Sequence, residues 1–217
     1  MNPLATFAHF FKTGGPFMYA VLIAALTIVA LVAERFWVIA RAGSINTDKL
    51  TRDVLSRVAK GDTAAAADLC RRVKGPVASV THAILLRGDA DEERLRNAAD
   101  GAASVVLPPL TRRLSYLAML ANTCTLLGLL GTIFGLITAF SAVGASDPAQ
   151  RGAFLAAGIS EAMNTTAFGL LVAIPTLLIH GFLAGRVEGI FDSVDSTAAR
   201  VIEALHRRGA KSHDLAA

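Results

Sequence analysis

The side chains that could do chemistry in this chain are hydroxyls and one carboxylate, all set within long apolar runs. Each apolar run has one end towards the segments rich in lysine and arginine. In the two thirds of each run farther from that end, Glu161 is the only acidic or basic side chain. A carboxylate placed among apolar residues is costly, which makes Glu161 a functional candidate, although it could instead reach a lipid–water interface. Other polar side chains are too many to face lipid: Asn122, Thr123, Thr125, Thr132, Ser160, Asn164, Thr165 and Thr166.

Small residues recur on one helical face in each of the two polar runs. Their spacing of three and four residues predicts close approach of two helices, and Gly131 with Gly135 forms a GxxxG pair. The alternative to a chemical role is plain packing, with each threonine hydroxyl bonded to its own preceding turn. Pro175 lacks an amide donor, so its helix should bend there or pack against a neighbour. The predicted packing residues are Gly128, Gly131, Gly135, Gly169 and Pro175.

The apolar runs that carry these residues are long enough to cross a bilayer. The chain has 217 residues, of which 53% are hydrophobic and only 18% charged, against about 25% charged in soluble domains. Three transmembrane helices are predicted, over residues 17–39, 114–143 and 159–183. A cleaved signal peptide is the alternative for the first, but Lys12 is the only basic residue before it.

Several function classes are excluded by residue types. Cys70 and Cys124 cannot form a disulfide framework, and no metal-ligand spacing occurs, so we expect neither a metal site nor a cofactor. Basic residues are interleaved with acidic ones, and only 6% of residues are aromatic, so we expect no nucleic-acid partner. An intramembrane enzyme would need a nucleophile beside a base. Only Cys124 and distant histidines are available, so we expect no catalytic residues and no enzyme.

Basic residues predict the orientation of the chain. Residues 34–113 and the stretch after the third span hold every lysine and arginine except Lys12 and Arg151. By the positive-inside rule, residues 40–113 and 184–217 are cytoplasmic, while residues 1–16 and the connector 144–158 are periplasmic. In a bacterium, this describes a multi-pass protein of the inner membrane, surrounded by lipid.

The cytoplasmic residues read as short helices, with no strand pattern. Asn46 or Thr47 and then Asp62 are predicted N-caps, Gly61 and Gly75-Pro76 are predicted ends, and Asp91 begins an acidic helix start. After the third span an apolar stripe continues at helical spacing from Val187 to Leu205, and we expect it to pack on an extension of the second span. The fold class is therefore an all-α membrane protein with three transmembrane helices, long cytoplasmic extensions and a small cytoplasmic helical region.

Two sequence runs carry a family resemblance. LLGLLGTIFGLITAFSAVG at 126–144 and GISEAMNTTAFGLLVAIPTLLI at 158–179 closely resemble the MotA/TolQ/ExbB proton channel family, as does the Glu34-Arg35-Phe36-Trp37 exit from the first span. Three spans place the chain in the TolQ/ExbB-like branch. The resemblance implies a homo-oligomer, a pentamer, around a single-span TolR/ExbD-like partner that carries an intramembrane aspartate. It implies a motor driven by the proton motive force, serving envelope transport, integrity or gliding motility.

The resemblance also assigns roles to residues. The family's channel-facing threonines fall on Thr132 and Thr166, and its sensitive glutamate falls on Glu161. A proton pathway needs a group that binds and releases protons, which threonine cannot do near neutral pH. Because the spans contain no midplane carboxylate, this chain would be half of a channel, completed by the partner's aspartate. The alternative function is a membrane scaffold that does not conduct protons.

Overall fold

The structure is a computed structural model that describes residues 10–11, 14–88 and 90–214, with side chains described as far as residue 208. Lys12 and Asp89 lie outside the described residues. The described residues contain helices and no strand, which confirms the predicted fold class. The helices are α1 (Gly15–Ala42), α2 (Thr47–Ala59), α3 (Thr63–Arg72), α4 (Pro76–Leu85), α5 (Glu92–Val106), α6 (Pro108–Thr111), α7 (Leu114–Ala145) and α8 (Arg151–Asp214).

The chain divides into two compact units, which we describe separately. The span unit comprises Met1–Ala33 and Ser115–Gly181, and the bundle unit comprises Glu34–Leu114 and Phe182–Ala217. Helices α1, α7 and α8 are each long and apolar enough to cross a membrane, as predicted. Helices α1 and α8 contribute residues to both units.

The predicted connector between the second and third spans is shorter than expected. The sequence predicted it over residues 144–158, but α7 continues to Ala145 and α8 begins at Arg151. Residues 151–158 are rich in alanine and leucine, which favour helix and outweigh the two glycines among them. Gly158, the last residue of the predicted connector, lies in α8 where a Cβ would come 2.3 Å from the Ala139 Cβ of α7.

Aromatic rings pack the described N-terminal residues onto α8 in the span unit. The rings of Phe11 and Phe168 lie 5.1 Å apart, and those of Phe10 and Phe168 lie 6.2 Å apart, both edge to face. Because Phe168 belongs to the predicted third span, Phe10 and Phe11 contact residues of the span itself. The sequence did not predict this contact.

The caps predicted at Asn46 and Asp62 are confirmed. Asn46 accepts a hydrogen bond from the Lys49 amide at 3.0 Å, and Asp62 accepts one from the Ala65 amide at 2.9 Å. Asp91, predicted as part of an acidic helix start, also acts as a cap and accepts a hydrogen bond from the Arg94 amide at 3.2 Å. Gly61 follows α2 with φ +86°, a left-handed conformation that glycine adopts without strain. These polar caps satisfy first-turn amides and delimit the short helices.

The bundle unit is built around the far end of α8. Its apolar core combines residues of α2 to α5 with Val194, Ala198, Val201, Ile202 and Leu205 of α8. The predicted stripe is therefore buried, and its partners include Leu95 and Ala99 of α5 as well as residues of α2 to α4. Helix α5 belongs to the apolar helical run Glu92–Ala145 that precedes and includes α7, although the two prolines of α6 interrupt that run before α7 begins at Leu114.

Candidate functional site

Glycines bring α7 and α8 into close contact in the span unit. A Cβ at Gly128 would lie 3.2 Å from the Thr166 Cα, and a Cβ at Gly135 would lie 3.0 Å from the Ala162 Cβ. A Cβ at Gly169 would meet the Cys124 carbonyl oxygen at 2.6 Å. Three of the four predicted packing glycines thus lie where the backbones of two antiparallel helices approach. The small-residue stripes pack against each other within one chain, so they supply no independent argument for self-association.

Gly131, the fourth predicted packing glycine, makes room for Thr165. A Cβ at Gly131 would lie 2.4 Å from the Thr165 Cγ2. Thr165 is 1% exposed, and its hydroxyl lies 2.6 Å from the Gly14 carbonyl oxygen and 3.0 Å from the Glu161 carbonyl oxygen. One buried hydroxyl therefore connects α8 with the residue that precedes α1.

Thr166, one of the two threonines predicted to line the pathway, bonds to the turn of α7 that leads to the other, Thr132. The half-buried Thr166 hydroxyl donates a hydrogen bond to the Gly128 carbonyl at 2.8 Å. In an α-helix that carbonyl also accepts the amide hydrogen of the residue four positions later, which here is Thr132. Thr166 is thus bonded across the helix pair, one turn before Thr132.

The hydrogen bond of Thr132 matches the alternative of plain packing, in which a threonine hydroxyl bonds to its own preceding turn. Its half-buried hydroxyl donates to the Leu129 carbonyl of its own helix at 2.6 Å. Thr123 likewise donates to the Met119 carbonyl at 2.8 Å. A hydroxyl that donates to a carbonyl keeps two lone pairs. Thr132 and Thr166 can therefore each accept a hydrogen bond from water or from a protonated carboxyl group.

Glu161 contacts the beginning of α1. A Cβ at Gly15 would lie only 2.0 Å from the Glu161 Oε1, so the carboxylate occupies the space that a side chain at Gly15 would need. Gly15 is the first residue of α1 and has φ +69°. Glu161 is half-buried. Its carboxylate therefore lies against the protein at the end of a helix, and the amides of such an end carry partial positive charge.

Pro175 lies inside α8, which continues as helix on both sides of it, and its side chain is exposed. That α8 bends at Pro175 or packs there against a neighbour stays a prediction. The adjacent Thr176 is 3% exposed and donates to the Val172 carbonyl at 2.6 Å, one turn back.

Sequence reasoning missed one buried charge in the bundle unit. No partner is predicted for the Arg35 side chain from the sequence, yet this side chain is buried, with 5% of the residue exposed. Its guanidinium donates to the Pro109 carbonyl at 3.1 Å and to the Glu34 carboxylate at 2.9 Å, and Arg113 contacts the same carboxylate. The Arg35 guanidinium therefore connects the C-terminal part of α1 to Pro109 of α6. The Glu34-Arg35 pair at a span exit was the available signal, but only the structure shows its partners.

The thiols have no chemical environment that would activate them. Burial raises the pKa of the Cys70 thiol to about 11, and Cys124 is fully buried against α8. A thiol is nucleophilic only as the thiolate, so Cys70 is inert near neutral pH. Among the described residues, no group of three His, Cys, Asp or Glu side chains is arranged to hold a metal ion.

Three long apolar helices, with hydroxyls and one carboxylate gathered where two of them meet, define a multi-pass helical membrane protein with polar groups inside its spans. The chain belongs to the MotA/TolQ/ExbB proton channel family, whose model matches residues 72–196. The match covers α4 to α7 and most of α8, including Thr132, Thr166 and the Gly128 turn to which Thr166 bonds.

Named relatives come from biopolymer transport and from the Tol-Pal system. The chain is 27% identical over 198 residues to an ExbB homolog of Methanothermobacter thermautotrophicus, covering 90% of this chain and 69% of that protein. It is 34% identical over 186 residues to the biopolymer transport protein ExbB-like 3 of Synechocystis, covering 84% and 87%. It is 33% identical over 99 residues to TolQ of the Haemophilus influenzae Tol-Pal system, covering 46% and 43%.

Proposed function

We propose that this chain is the channel-forming subunit of an inner-membrane motor driven by the proton motive force. In this proposal it assembles as a homo-oligomer, a pentamer, around the helices of a single-span TolR/ExbD-like partner with an intramembrane aspartate. Proton flow through the complex would be coupled to envelope transport, envelope integrity or gliding motility. Membership of a proton channel family, with relatives named for biopolymer transport and the Tol-Pal system, supports the class.

The observation that carries the proposal is the hydrogen bond from the Thr166 hydroxyl of α8 to the Gly128 carbonyl of α7. Thr132 follows Gly128 by one turn of α7, so the bond joins Thr166 to the turn that leads to Thr132. Both threonines donate their hydrogens to backbone carbonyls and retain lone pairs for an outside donor. Such a pair can orient water beside a carboxyl group but cannot carry a proton itself. The proposal therefore needs the partner's aspartate to bind and release the proton.

Exposed apolar surface on the span unit supports assembly with other chains or with lipid. Large apolar side chains are exposed along all three spans: Ile23, Leu26, Val29, Leu126, Ile137, Phe140, Leu171 and Leu178. A single three-span chain has too few helices to cover a polar pathway on all sides. In this proposal, neighbouring copies and the partner helix complete the wall around the threonines.

A scaffold that does not conduct protons is the second candidate. The close glycine contacts between α7 and α8, together with the bond of Thr132 to its own turn, favour it. The two functions predict different results for threonine changes. A scaffold tolerates the loss of a hydroxyl that only satisfies a local carbonyl, because such a bond contributes about 0.5–1.5 kcal/mol net.

The test replaces Thr132 and Thr166 with valine, singly and together, in the complex with its partner. Valine keeps the side-chain shape and removes the hydroxyl. A proton pathway predicts a roughly tenfold or greater loss of proton flux in vesicles, because lining groups that bind water are lost. Complex yield should stay near normal. Full flux in the double variant, or flux lost only in step with yield, would favour the scaffold.

Thr123 offers the matched control. Its exposed hydroxyl also bonds to its own turn, but it lies away from the Thr166 contact. Thr123→Val should therefore leave both proton flux and complex yield unchanged. A loss of flux in this variant equal to that of Thr132→Val would mean that hydroxyls along α7 matter without regard to position, which contradicts a pathway at one turn.

A further inference from the structure

The start of α1 is shaped by two consecutive glycines that each leave room for a specific side chain of the span unit. A Cβ at Gly14 would lie 2.3 Å from the Met18 Sδ, and Met18 is fully buried. A Cβ at Gly15 would lie 2.0 Å from the Glu161 Oε1. Real Cβ atoms do not approach other atoms this closely. Any other residue at Gly15 would therefore have to displace the carboxylate.

The backbone at Gly15 adds a second, independent requirement for glycine. Its φ of +69° is left-handed, a conformation that a Cβ makes unfavourable. The turn at Gly15 also brings the Gly14 carbonyl to the buried Thr165 hydroxyl, 2.6 Å away. Thr165 lies one helical turn after Glu161. Two adjacent turns of α8 thus contact the same glycine pair.

We propose that Gly15 is a positioning residue for Glu161, and that the start of α1 thereby takes part in the proton pathway. The missing side chain lets the carboxylate lie against the first turn of α1, where backbone amides favour negative charge. The Thr165 bond to Gly14 fixes α1 at that level of α8. Glu161 is then held in place within the span unit. This inference rests on the proposed function for its consequence, but the contact that it describes can be tested separately.

The first measurement is a double-mutant cycle on the thermal stability of the purified protein. Gly15→Ala introduces both the left-handed strain and the clash with Glu161. In a Glu161→Ala background the strain remains but the clash is absent, so the cycle isolates the contact. We expect Gly15→Ala to lower Tm by at least roughly 2–4 °C more in the normal background than in the Glu161→Ala background. Equal losses in both backgrounds would overturn the inference.

Two further variants keep the cycle interpretable. Gly181→Ala is the matched control, because no atom lies within 4 Å of a Cβ there, and its Tm should not fall. If Gly15→Ala does not accumulate, Gly15→Asn replaces it, since asparagine tolerates a left-handed φ better than alanine. Coupling between Gly15→Asn and Glu161→Ala would then support the contact, and additive losses would contradict it.

The second measurement separates positioning from simple packing. Glu161→Asp shortens the side chain by one methylene and keeps the charge, so in the Gly15→Ala background it should fit beneath the new Cβ. We expect Gly15→Ala alone to reduce proton flux of the complex by roughly tenfold or more, and Glu161→Asp to restore much of that flux. Glu161→Ala in the Gly15→Ala background should remove the part of the Tm loss that comes from the clash, without restoring flux.

The outcomes distinguish this inference from the proposed function. A coupled stability cycle combined with full flux in Glu161→Ala would overturn the positioning role, because the carboxylate would then have no part in transport. Additive stability losses would also overturn it, whatever the valine variants of Thr132 and Thr166 show. A third outcome combines full flux in those valine variants with a coupled stability cycle and with rescue of Gly15→Ala by Glu161→Asp. This outcome would contradict the threonine pathway but would support the positioning role of Gly15.

Discussion

At the scale of single residues, the span unit depends on positions where no side chain is present. Gly128, Gly135 and Gly169 lie against backbone atoms of the opposite helix, whereas Gly131 lies against a threonine side chain. Backbone atoms cannot rotate away as side chains can. The consequence of adding a methyl group should therefore differ among glycines of the same helix.

Gly169→Ala tests this difference. The added Cβ would lie 2.6 Å from the Cys124 carbonyl oxygen and 3.2 Å from the Gly128 Cα, so α7 and α8 would have to separate. Overpacking of this kind costs about 1–3 kcal/mol, which predicts a lower Tm in detergent. Gly181→Ala, in the same helix and unit, should retain or slightly raise Tm because alanine favours helix. Equal Tm values for the two variants would contradict the close approach.

At the scale of elements, α8 contributes a long segment to each of the two units. Its 64 residues would extend ~96 Å as one regular helix. Its first half carries Glu161 and Thr166, and its second half supplies the core of the bundle unit. A buried pair of hydroxyls, Thr51 of α2 and Thr197 of α8, lies 3.1 Å apart within that unit. This pair provides the only hydrogen bond between side chains of α2 and α8 in the described part of the chain.

Valine substitutions at Thr51 and Thr197 test the contact between these two elements. Both residues are less than 5% exposed, so a single Thr→Val change leaves the other hydroxyl buried without this partner. Such a loss costs about 1–3 kcal/mol, whereas replacing both hydroxyls with methyl groups can be nearly neutral. We expect each single variant to lower Tm and the double variant to lie closer to the normal protein. Additive losses in chemical or thermal unfolding would show that the hydroxyls do not depend on each other.

At the scale of the whole molecule, charge predicts how the chain lies in the membrane. Among the described residues, Arg151 at the start of α8 is the only lysine or arginine in the span unit. The bundle unit holds all the other described lysines and arginines. A protein with this asymmetry should place its bundle unit on the cytoplasmic side. The α7–α8 connector would then face the periplasm.

Cysteine labelling tests that orientation. Asp147→Cys, in the exposed connector, should react in intact cells with a thiol reagent that reaches only the periplasm, and Asp100→Cys, exposed on α5, should not. The native thiols should contribute little background. With a pKa of about 11, Cys70 is only about 0.1% thiolate at pH 8, and Cys124 is fully buried. Labelling at Asp100→Cys but not at Asp147→Cys would reverse the orientation.

The sequence alone determined the helical class, the three spans, the caps of the short helices and the family. Each of these depends on local properties. An uncharged run of sufficient length predicts a span, and Asn46, Asp62 and Asp91 satisfy amides only three residues away. The helical spacing of Val194 to Leu205 likewise predicted a buried face, which packs partly on α5.

Only the tertiary structure decided which groups meet. The sequence placed Thr125 and Thr132 on the packing face of α7, but that face is centred on Gly128, Gly131 and Gly135, and Thr125 is exposed. Adjacent residues differ by about 100° around a helix. Small residues spaced three and four apart occur on two neighbouring faces of α7, so the spacing does not tell which of these faces packs against α8. That choice follows from how two backbones approach each other. The same holds for the bond of Thr166 to Gly128 and the contact of Glu161 with Gly15, since each joins residues distant in sequence.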